Sequence, residues 1–303
     1  MKLSKIGEGH YAENKQPVYT TVAAPATYDK YVFVRIRGGI GDTFLGLSKI
    51  LDIKDKYPQH SVIIVNDVGV IRDDVTQMLL HSPVVTGVIA PPIECIGYNY
   101  RNPLLTWEPR DEIEQRLFGA INKQSYDKYI DANLAAPDAR TYKVRLPMPF
   151  EFDRFDFKTI QEGVWDKIIT FQPMSHNKGT SPQWPHWQEF IDGYPTILFI
   201  MIGGPSEELA TAHIKGKNVI NMVAKTPLVQ TCSIVLSSDL HIGCESWTAF
   251  FAGLMNQKSI LMWQPRFIRL FRMIYDHSNT SISTEQLISV SKMRKYTKDM
   301  LGI

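Results

Sequence analysis

Apolar and polar residues succeed one another along the chain in a regular series of strand-like and helix-like segments. Residues 31–36 (Tyr-Val-Phe-Val-Arg-Ile) are an apolar, β-branched run, and a glycine-rich segment at residues 38–41 ends it. Apolar residues then return at helical spacing between residues 44 and 51. A strand, a glycine turn and a helix in this order indicate a βα unit of a parallel sheet.

The same alternation continues to the end of the chain. Short apolar runs predict further strands at residues 61–65, 87–90, 126–130, 167–172, 196–201, 218–222, 239–242 and 259–263. Helical spacing predicts helices at residues 71–80, 109–121, 186–191, 206–212, 228–236, 246–254 and 283–301, the last with a capping signal in its first four residues, Ser-Thr-Glu-Gln. This order predicts an α/β protein whose parallel sheets are covered on both faces.

Residues 137–162 follow neither period and contain several prolines, which indicates a crossing between domains. We therefore predict two Rossmann-like, doubly wound domains that face a central cleft, residues 1–155 and residues 156–303, with a last helix able to cross back. Residues 1–29 are expected to be an extension or a short hairpin. Sheets of this kind bind ligands outside the carboxyl ends of their strands.

Composition excludes several classes of protein. The 303 residues, of which 44% are hydrophobic and 21% charged, are typical of a globular chain, and the net charge of +2 gives no argument for a nucleic-acid or membrane partner. Cys95, Cys232 and Cys244 lack the spacing of a zinc site or a disulfide framework. We expect no metal, no cofactor, no integral membrane segment and a cytoplasmic location.

The sharpest motif, Arg-Ile-Arg-Gly-Gly-Ile-Gly-Asp-Thr at residues 35–43, lies where the first strand ends. Its glycines let the backbone approach a ligand, and Asp42 stands at the predicted helix start, facing the cleft. The other candidate site residues of this motif are Arg35, Arg37, Gly39, Gly41 and Thr43. The alternative is that Asp42 only caps the helix. A strict dinucleotide fingerprint is excluded, because Phe44 stands where a third glycine is required.

Two polar segments follow strands of the second half. The loop after residue 172 carries hydroxyl, amide and ammonium groups suited to a diphosphate, and its candidate residues are Ser175, His176, Lys178 and Thr180. Glu245 and Ser246 precede a helix, where a carboxylate can bind sugar hydroxyls and helix amides can bind phosphate. The alternatives are a helix start whose tryptophans, Trp184 and Trp187, simply pack, and plain capping residues at 245 and 246.

In their order these motifs resemble glycosyltransferase family 9, the ADP-heptose:lipopolysaccharide heptosyltransferases. The resemblance rests on Asp42 with its glycines and the helix ending in Lys56-Tyr57-Pro58, on Trp184-Pro185, on Gly203-Gly204 before an acidic helix start, on Lys225-Thr226-Pro227-Leu228 and on Glu245-Ser246. The chain departs from the family pattern at Pro182, Trp247 and Phe250, where the family has lysine, glycine and histidine.

The resemblance implies the two-domain fold called GT-B and an inverting, metal-independent transfer from a nucleotide sugar. It implies that Asp42 is the general base and that the other candidate residues of its motif lie on the acceptor side. It also implies that Gly203, Gly204 and Lys225 belong to the donor site. It leaves the sugar, hexosyl, heptosyl or pentosyl, unresolved.

Two alternatives stay open beside a carbohydrate or other small acceptor. One is a glycosyltransferase acting on a hydroxymethylated DNA base, which Arg35, Arg37 and Arg101 would support. The other is a non-catalytic protein that binds nucleotides or sugars. We favour the carbohydrate acceptor, because basic residues are largely matched by acidic neighbours, as in Arg72-Asp73-Asp74.

Overall fold

The computed structural model describes residues 20–22, 31–47, 50–68, 72–89, 126–131, 147–160, 163–174, 184–264, 281–285 and 287–303. The chain divides into two compact units. Unit 1 comprises Met1–Ala136 with Pro149–Glu151, and unit 2 comprises Pro137–Met148 with Phe152–Ile303. The domain boundary after residue 155 and the central cleft stay predictions.

Unit 1 is built on a five-stranded sheet in the order β1-β4-β3-β2-β5. Its strands are β1 (Thr20–Val22), β2 (Tyr31–Gly38), β3 (Ser61–Val68), β4 (Gly87–Ile89) and β5 (Tyr126–Asp131). Its helices are α1 (Ile40–Leu47), α2 (Ile50–Lys56) and α3 (Arg72–Leu79). All neighbours pair in parallel except β1, which is antiparallel to β4. Every second residue of β2, from Val32 to Ile36, is buried, which gives this sheet its core face.

Unit 2 contains a six-stranded parallel sheet in the order β11-β10-β9-β6-β7-β8. Its strands are β6 (Lys167–Gln172), β7 (Ile197–Met201), β8 (Val219–Asn221), β9 (Leu240–Gly243), β10 (Ser259–Trp263) and β11 (Ser281–Glu285). Its helices are α4 (Trp187–Asp192), α5 (Glu208–Thr211), α6 (Leu228–Ser237), α7 (Trp247–Leu254) and α8 (Val290–Leu301), and 3-10 turns lie at Phe157–Thr159 and Pro205–Glu207. All residues of β7 and β10 are buried, so both faces of this sheet are covered.

A group of aromatic side chains fills the space between β6, β7 and α4. Trp184 and Trp187 meet edge to face with ring centroids 5.1 Å apart, and Phe171 and Phe190 pack against them. The Trp184 indole nitrogen donates to the Ile288 carbonyl at 2.8 Å, so its one polar atom is bonded although the ring is buried. Both tryptophans are therefore packing residues, and the loop before them stays outside the described residues.

The α/β class and the parallel sheets predicted from the sequence are confirmed, and the predicted helix at residues 109–121 lies outside the described residues. The prediction of a helix from residue 283 is wrong, because residues 281–285 form β11 and pair with β10. The last helix begins at Val290, where the Ser289 hydroxyl accepts from the Lys292 amide at 3.4 Å. Pairing with a buried neighbouring strand outweighs the local capping signal.

The antiparallel strand β1 also differs from the expected short hairpin within residues 1–29. Its partner is β4, far along the chain, with Thr20 opposite Ile89. Cys232 and Cys244 are buried, and Cys95 lies outside the described residues. Within the ranges given above, no helix combines the length and apolar character needed to span a membrane.

Candidate functional site

The path of the chain through the sheet of unit 2 reverses between β6 and β9. From β6 the chain proceeds to β7 and β8 on one side, and it then returns to β9 on the other side. Gln172 at the end of β6 lies opposite Gly243 at the end of β9. In doubly wound sheets the crevice outside the carboxyl ends at such a switch point is where ligands bind. The residues at this point therefore form the candidate site.

Four buried polar side chains meet there, and we call Gln172, Glu207, Ser246 and Thr248 the switch-point cluster. The Gln172 amide nitrogen donates to the two Glu207 carboxylate oxygens at 3.2 and 3.1 Å. Its amide oxygen accepts from the hydroxyls of Ser246 and Thr248 at 2.5 and 2.6 Å. Gln172 and Glu207 are only 1% and 3% exposed, so these groups depend on one another for hydrogen bonds.

The polar network continues beneath the cluster through His241 on β9. Because the Thr248 hydroxyl proton points to Gln172, the Thr248 oxygen accepts from His241 Nε2 at 3.2 Å. His241 Nδ1 then accepts from the Thr170 hydroxyl at 3.0 Å. Complete burial lowers the pKa of His241 to about 3, against a smaller opposing effect of the Thr170 backbone. The imidazole is thus a neutral supporting group at physiological pH.

Glu207 is the electrostatic centre of the cluster. Burial raises the pKa of its carboxyl to about 7, while hydrogen bonds from the Gln172 side chain and the Gly204 backbone oppose the change. The carboxyl therefore exchanges its proton close to neutral pH, where small changes in its surroundings alter its charge.

The turn between β7 and Glu207 is shaped by two glycines with different surroundings. A Cβ atom placed on Gly203 would overlap the Glu207 carboxylate oxygen, whereas a Cβ on Gly204 would meet nothing within 4 Å. The Gly203 carbonyl also accepts from the Ala224 amide at 3.0 Å, which ties this turn to the one after β8. Ala224 has φ of 60°, a conformation that non-glycine residues seldom adopt.

Lys225 follows Ala224 directly in the second turn. It therefore lies next to the residue whose backbone amide donates to the Gly203 carbonyl. Its ammonium group is exposed and donates to the Asn221 carbonyl at 2.7 Å. The threonine after it, Thr226, shares a hydrogen bond of 2.8 Å with Thr231 of α6. Two of the predicted donor segments, at residues 203–204 and at residue 225, therefore lie at the same edge of the sheet.

Ser246 and Glu245 both point their side chains at other loops. Ser246 stands at the N-cap of α7, but its hydroxyl makes no capping bond and turns to Gln172, which leaves the residue 8% exposed. A Glu245 carboxylate oxygen accepts from the backbone N–H of Gln264 at 3.3 Å, which links the ends of β9 and β10. The simple capping interpretation of Ser246 is therefore wrong, because its side chain is turned to Gln172 and its oxygen accepts from no backbone amide of α7.

The glycine motif of unit 1 runs from the carboxyl end of β2 into α1. Gly39 lies between the two elements, and Gly41 lies inside the helix. This helix begins at Ile40, so Asp42 lies in its first turn and not at its cap. The buried Thr43 hydroxyl donates to the Gly39 carbonyl at 3.0 Å, which closes the turn. The side chains of Arg35, Arg37 and Asp42 lie outside the described set.

The loop predicted to bind diphosphate falls outside the description altogether. Its candidate residues are Ser175, His176, Lys178 and Thr180. Their roles stay predictions, and no role in the cluster is assigned to them.

Sequence analysis missed Gln172, Glu207, Thr248 and His241 as site residues. The available signal was position, because Gln172 is the polar residue that ends an apolar strand, and Glu207 and Thr248 follow the ends of β7 and β9. In the part of the chain that the structure describes, no three His, Cys, Asp or Glu side chains converge into a possible metal site.

The two glycines provide a matched pair of variants. Gly203→Ala should destabilise the protein by about 1 to 3 kcal/mol, because the new methyl group displaces the buried Glu207 carboxylate. Gly204→Ala should be neutral or stabilising by up to about 1 kcal/mol, since its site is open and its φ of −88° suits alanine. Urea unfolding measures both, and equal stability of the two variants would contradict the packing at Gly203.

The raised pKa of Glu207 predicts a pH-dependent stability. Between the ordinary value of 4.5 and about 7 the native state holds a proton that the unfolded chain releases, so stability is complete below pH 4.5 and declines through pH 7. Glu207→Gln carries no charge and escapes this decline. Its stability relative to the wild type should rise by about 2 kcal/mol between pH 5 and pH 9.

Chemical unfolding at the two pH values checks this expectation. Glu208→Gln, at the exposed neighbouring carboxylate, is the control and should stay within about 0.5 kcal/mol of the wild type at both. A constant difference between Glu207→Gln and the wild type would show that the Glu207 carboxyl titrates normally.

The fold resembles known structures, although no protein-family model and no curated protein sequence matches the chain. A family 9 glycosyl transferase from Veillonella parvula is similar with a TM-score of 0.61 and 13% identity, over 92% of this chain and 99% of that one. ADP-heptose lps heptosyltransferase II of E. coli gives a TM-score of 0.58 and 13% identity over 89% and 98%. E. coli heptosyltransferase WaaC with ADP gives 0.59 and 13% over 89% and 99%. The chain thus shares the fold of family 9 glycosyltransferases.

Proposed function

We propose that this chain is a glycosyltransferase that uses a nucleotide-sugar donor. The observation that carries the proposal is the switch-point cluster, which lies at the carboxyl ends of β6 and β9. One of the structures with the same fold is described with ADP. A buried carboxyl group, a glycine turn and the start of a helix are groups that suit ribose hydroxyls and phosphates. The cluster thus supports a nucleotide site in unit 2.

The reaction we propose inverts the anomeric carbon in a single displacement. Asp42 takes the proton of the acceptor hydroxyl while the hydroxyl oxygen attacks the anomeric carbon. The bond from that carbon to the diphosphate breaks, and the nucleoside diphosphate leaves. The amides at the start of α7, with Lys178 and the hydroxyls of Ser175 and Thr180, meet the negative charge of the leaving group without a metal. Arg35, Arg37 and the 39–43 turn face the acceptor.

The acceptor we propose is a carbohydrate or another small hydroxylated molecule. A protein that binds duplex DNA neutralises several phosphates and usually carries an excess of basic residues. This chain has 33 basic and 31 acidic residues, which does not provide such an excess. Binding of hydroxymethylated DNA that weakens steeply with salt would instead favour the nucleic-acid acceptor.

A ligand screen tests the donor. Thermal unfolding with ADP, UDP, GDP, CDP and their sugar conjugates should identify one nucleotide that raises the Tm, because a ligand that binds only the native state stabilises it by about 2.7 kcal/mol at a hundred times its Kd. The same increase is expected in EDTA. Nucleoside monophosphates without the second phosphate are the control. If no nucleoside diphosphate stabilises the protein, the donor site is not where we propose.

Asp42→Asn tests the general base. The amide keeps the size of the side chain but cannot accept the acceptor proton, so turnover should fall by about 100-fold or more. The Kd of the donor nucleotide, measured by calorimetry, should stay within about threefold of the wild type. Asp52→Asn, in the neighbouring helix α2, is the control that should retain turnover. Full activity of Asp42→Asn with the identified donor and acceptor would exclude this role.

A further inference from the structure

The Gln172 side chain joins two loops that follow different strands. Its amide nitrogen donates to Glu207 in the turn after β7, and its amide oxygen accepts from Ser246 and Thr248 at the start of α7, after β9. These partners lie 35, 74 and 76 residues away along the chain. Because Gln172 is buried, water does not compete for these bonds. A single amide therefore fixes the arrangement of the two loops.

We propose that Gln172 is a positioning residue of the donor site, which aligns the 203–207 turn with the start of α7 for binding of one nucleoside diphosphate. The inference rests on the proposed function. Gln172 is 1% exposed, so it acts on a ligand through the 203–207 turn and the start of α7, to which its partners belong. Its effect on the ligand is therefore indirect, through the position of the turn and of the helix amides.

The nitrogen and the oxygen of the Gln172 side-chain amide make opposite kinds of hydrogen bond. Towards Glu207 the amide supplies N–H donors to a carboxylate, and towards α7 it supplies an acceptor for two hydroxyl protons. A carboxylate at position 172 would keep the acceptor and lose the donor. An amide at position 207 would supply that donor from the other side. Exchange of the two side chains should therefore restore a donor–acceptor bond between positions 172 and 207, with one amide–carboxylate bond in place of two, and keep the acceptor for the two hydroxyls.

Gln172→Glu brings two carboxyl groups into contact. Such a pair shares one proton at lower pH and carries two repelling charges at higher pH. The Kd of ADP should be within about threefold of the wild type at pH 6 and at least about 10-fold weaker at pH 9. The other titratable groups nearby are the neutral His241, the Glu245 carboxylate bonded to Gln264, and Lys225, and all three are the same in every variant.

The exchange variant, which combines Gln172→Glu with Glu207→Gln, should restore the ADP binding that Gln172→Glu loses. It should bind ADP as Glu207→Gln alone does, within about threefold, at both pH values. That comparison removes any direct contribution of the Glu207 charge, and the titration of ADP itself is common to all variants. Gln257→Glu is the control, because the Gln257 amide also donates to a neighbouring loop, in a partly buried bond to the Ser238 carbonyl at 2.8 Å, but lies before β10 at the opposite end of the sheet. It should lower the Tm without changing the Kd.

Isothermal calorimetry with ADP, on protein shown to be folded by circular dichroism, decides between the outcomes. A loss of affinity at pH 9 in Gln172→Glu and its recovery in the exchange variant support the inference. If Gln172→Glu does not fold, the exchange variant alone decides. ADP binding like that of Glu207→Gln supports the inference, and loss of ADP binding overturns it. Unchanged affinity of Gln172→Glu at pH 9, or no recovery in the exchange variant, overturns the inference alone. Absence of ADP or other nucleotide binding by the wild type overturns the proposed function as well.

Discussion

The burial of one carboxyl group, that of Glu207, constrains the structure around the switch point. An ionisable group removed from water must be hydrogen-bonded or neutral, and Glu207 meets this condition through the Gln172 amide and a pKa raised by burial to about 7. A Cβ at position 203 would overlap one of its oxygens, so a side chain there would displace the carboxyl group. The direction of the Gln172 amide then requires hydroxyl donors on its other side, which Ser246 and Thr248 provide.

This polar cluster is held in place by an apolar sheet. The strands β7 and β10 are buried along their whole length, and the aromatic group around Trp184 and Phe171 fixes β6 from one side. The polar side chains of the cluster lie where β6 and β9 end, because there the backbone leaves the ladder and neighbouring elements can supply hydrogen-bond partners. A rigid scaffold with function at its strand ends is the general solution of doubly wound folds.

The sequence predicted the elements of unit 2 well, since the period of buried residues decides strand and helix locally. It predicted the candidate site less well. Gln172 and Glu207 are 35 residues apart, and only strand order brings them together. For the same reason the Ser246 hydroxyl was expected to be available to phosphate or to cap α7, whereas a buried acceptor 74 residues away binds it. Local propensity also failed at residues 283–285, where the capping signal lies inside a strand that pairs with β10.

The departures from the family 9 pattern alter what the start of α7 can offer. Trp247, in place of glycine, lies with its ring centroid 6.4 Å from that of Phe251, and Phe250, in place of histidine, lies 5.5 Å from Trp263. Aromatic side chains at both positions pack on neighbouring rings and supply no strong acceptor or charge. Polar contacts with a donor at this helix then fall to its backbone amides and to side chains other than those at positions 247 and 250, and the position of those amides depends on the bonds that Ser246 and Thr248 make with Gln172.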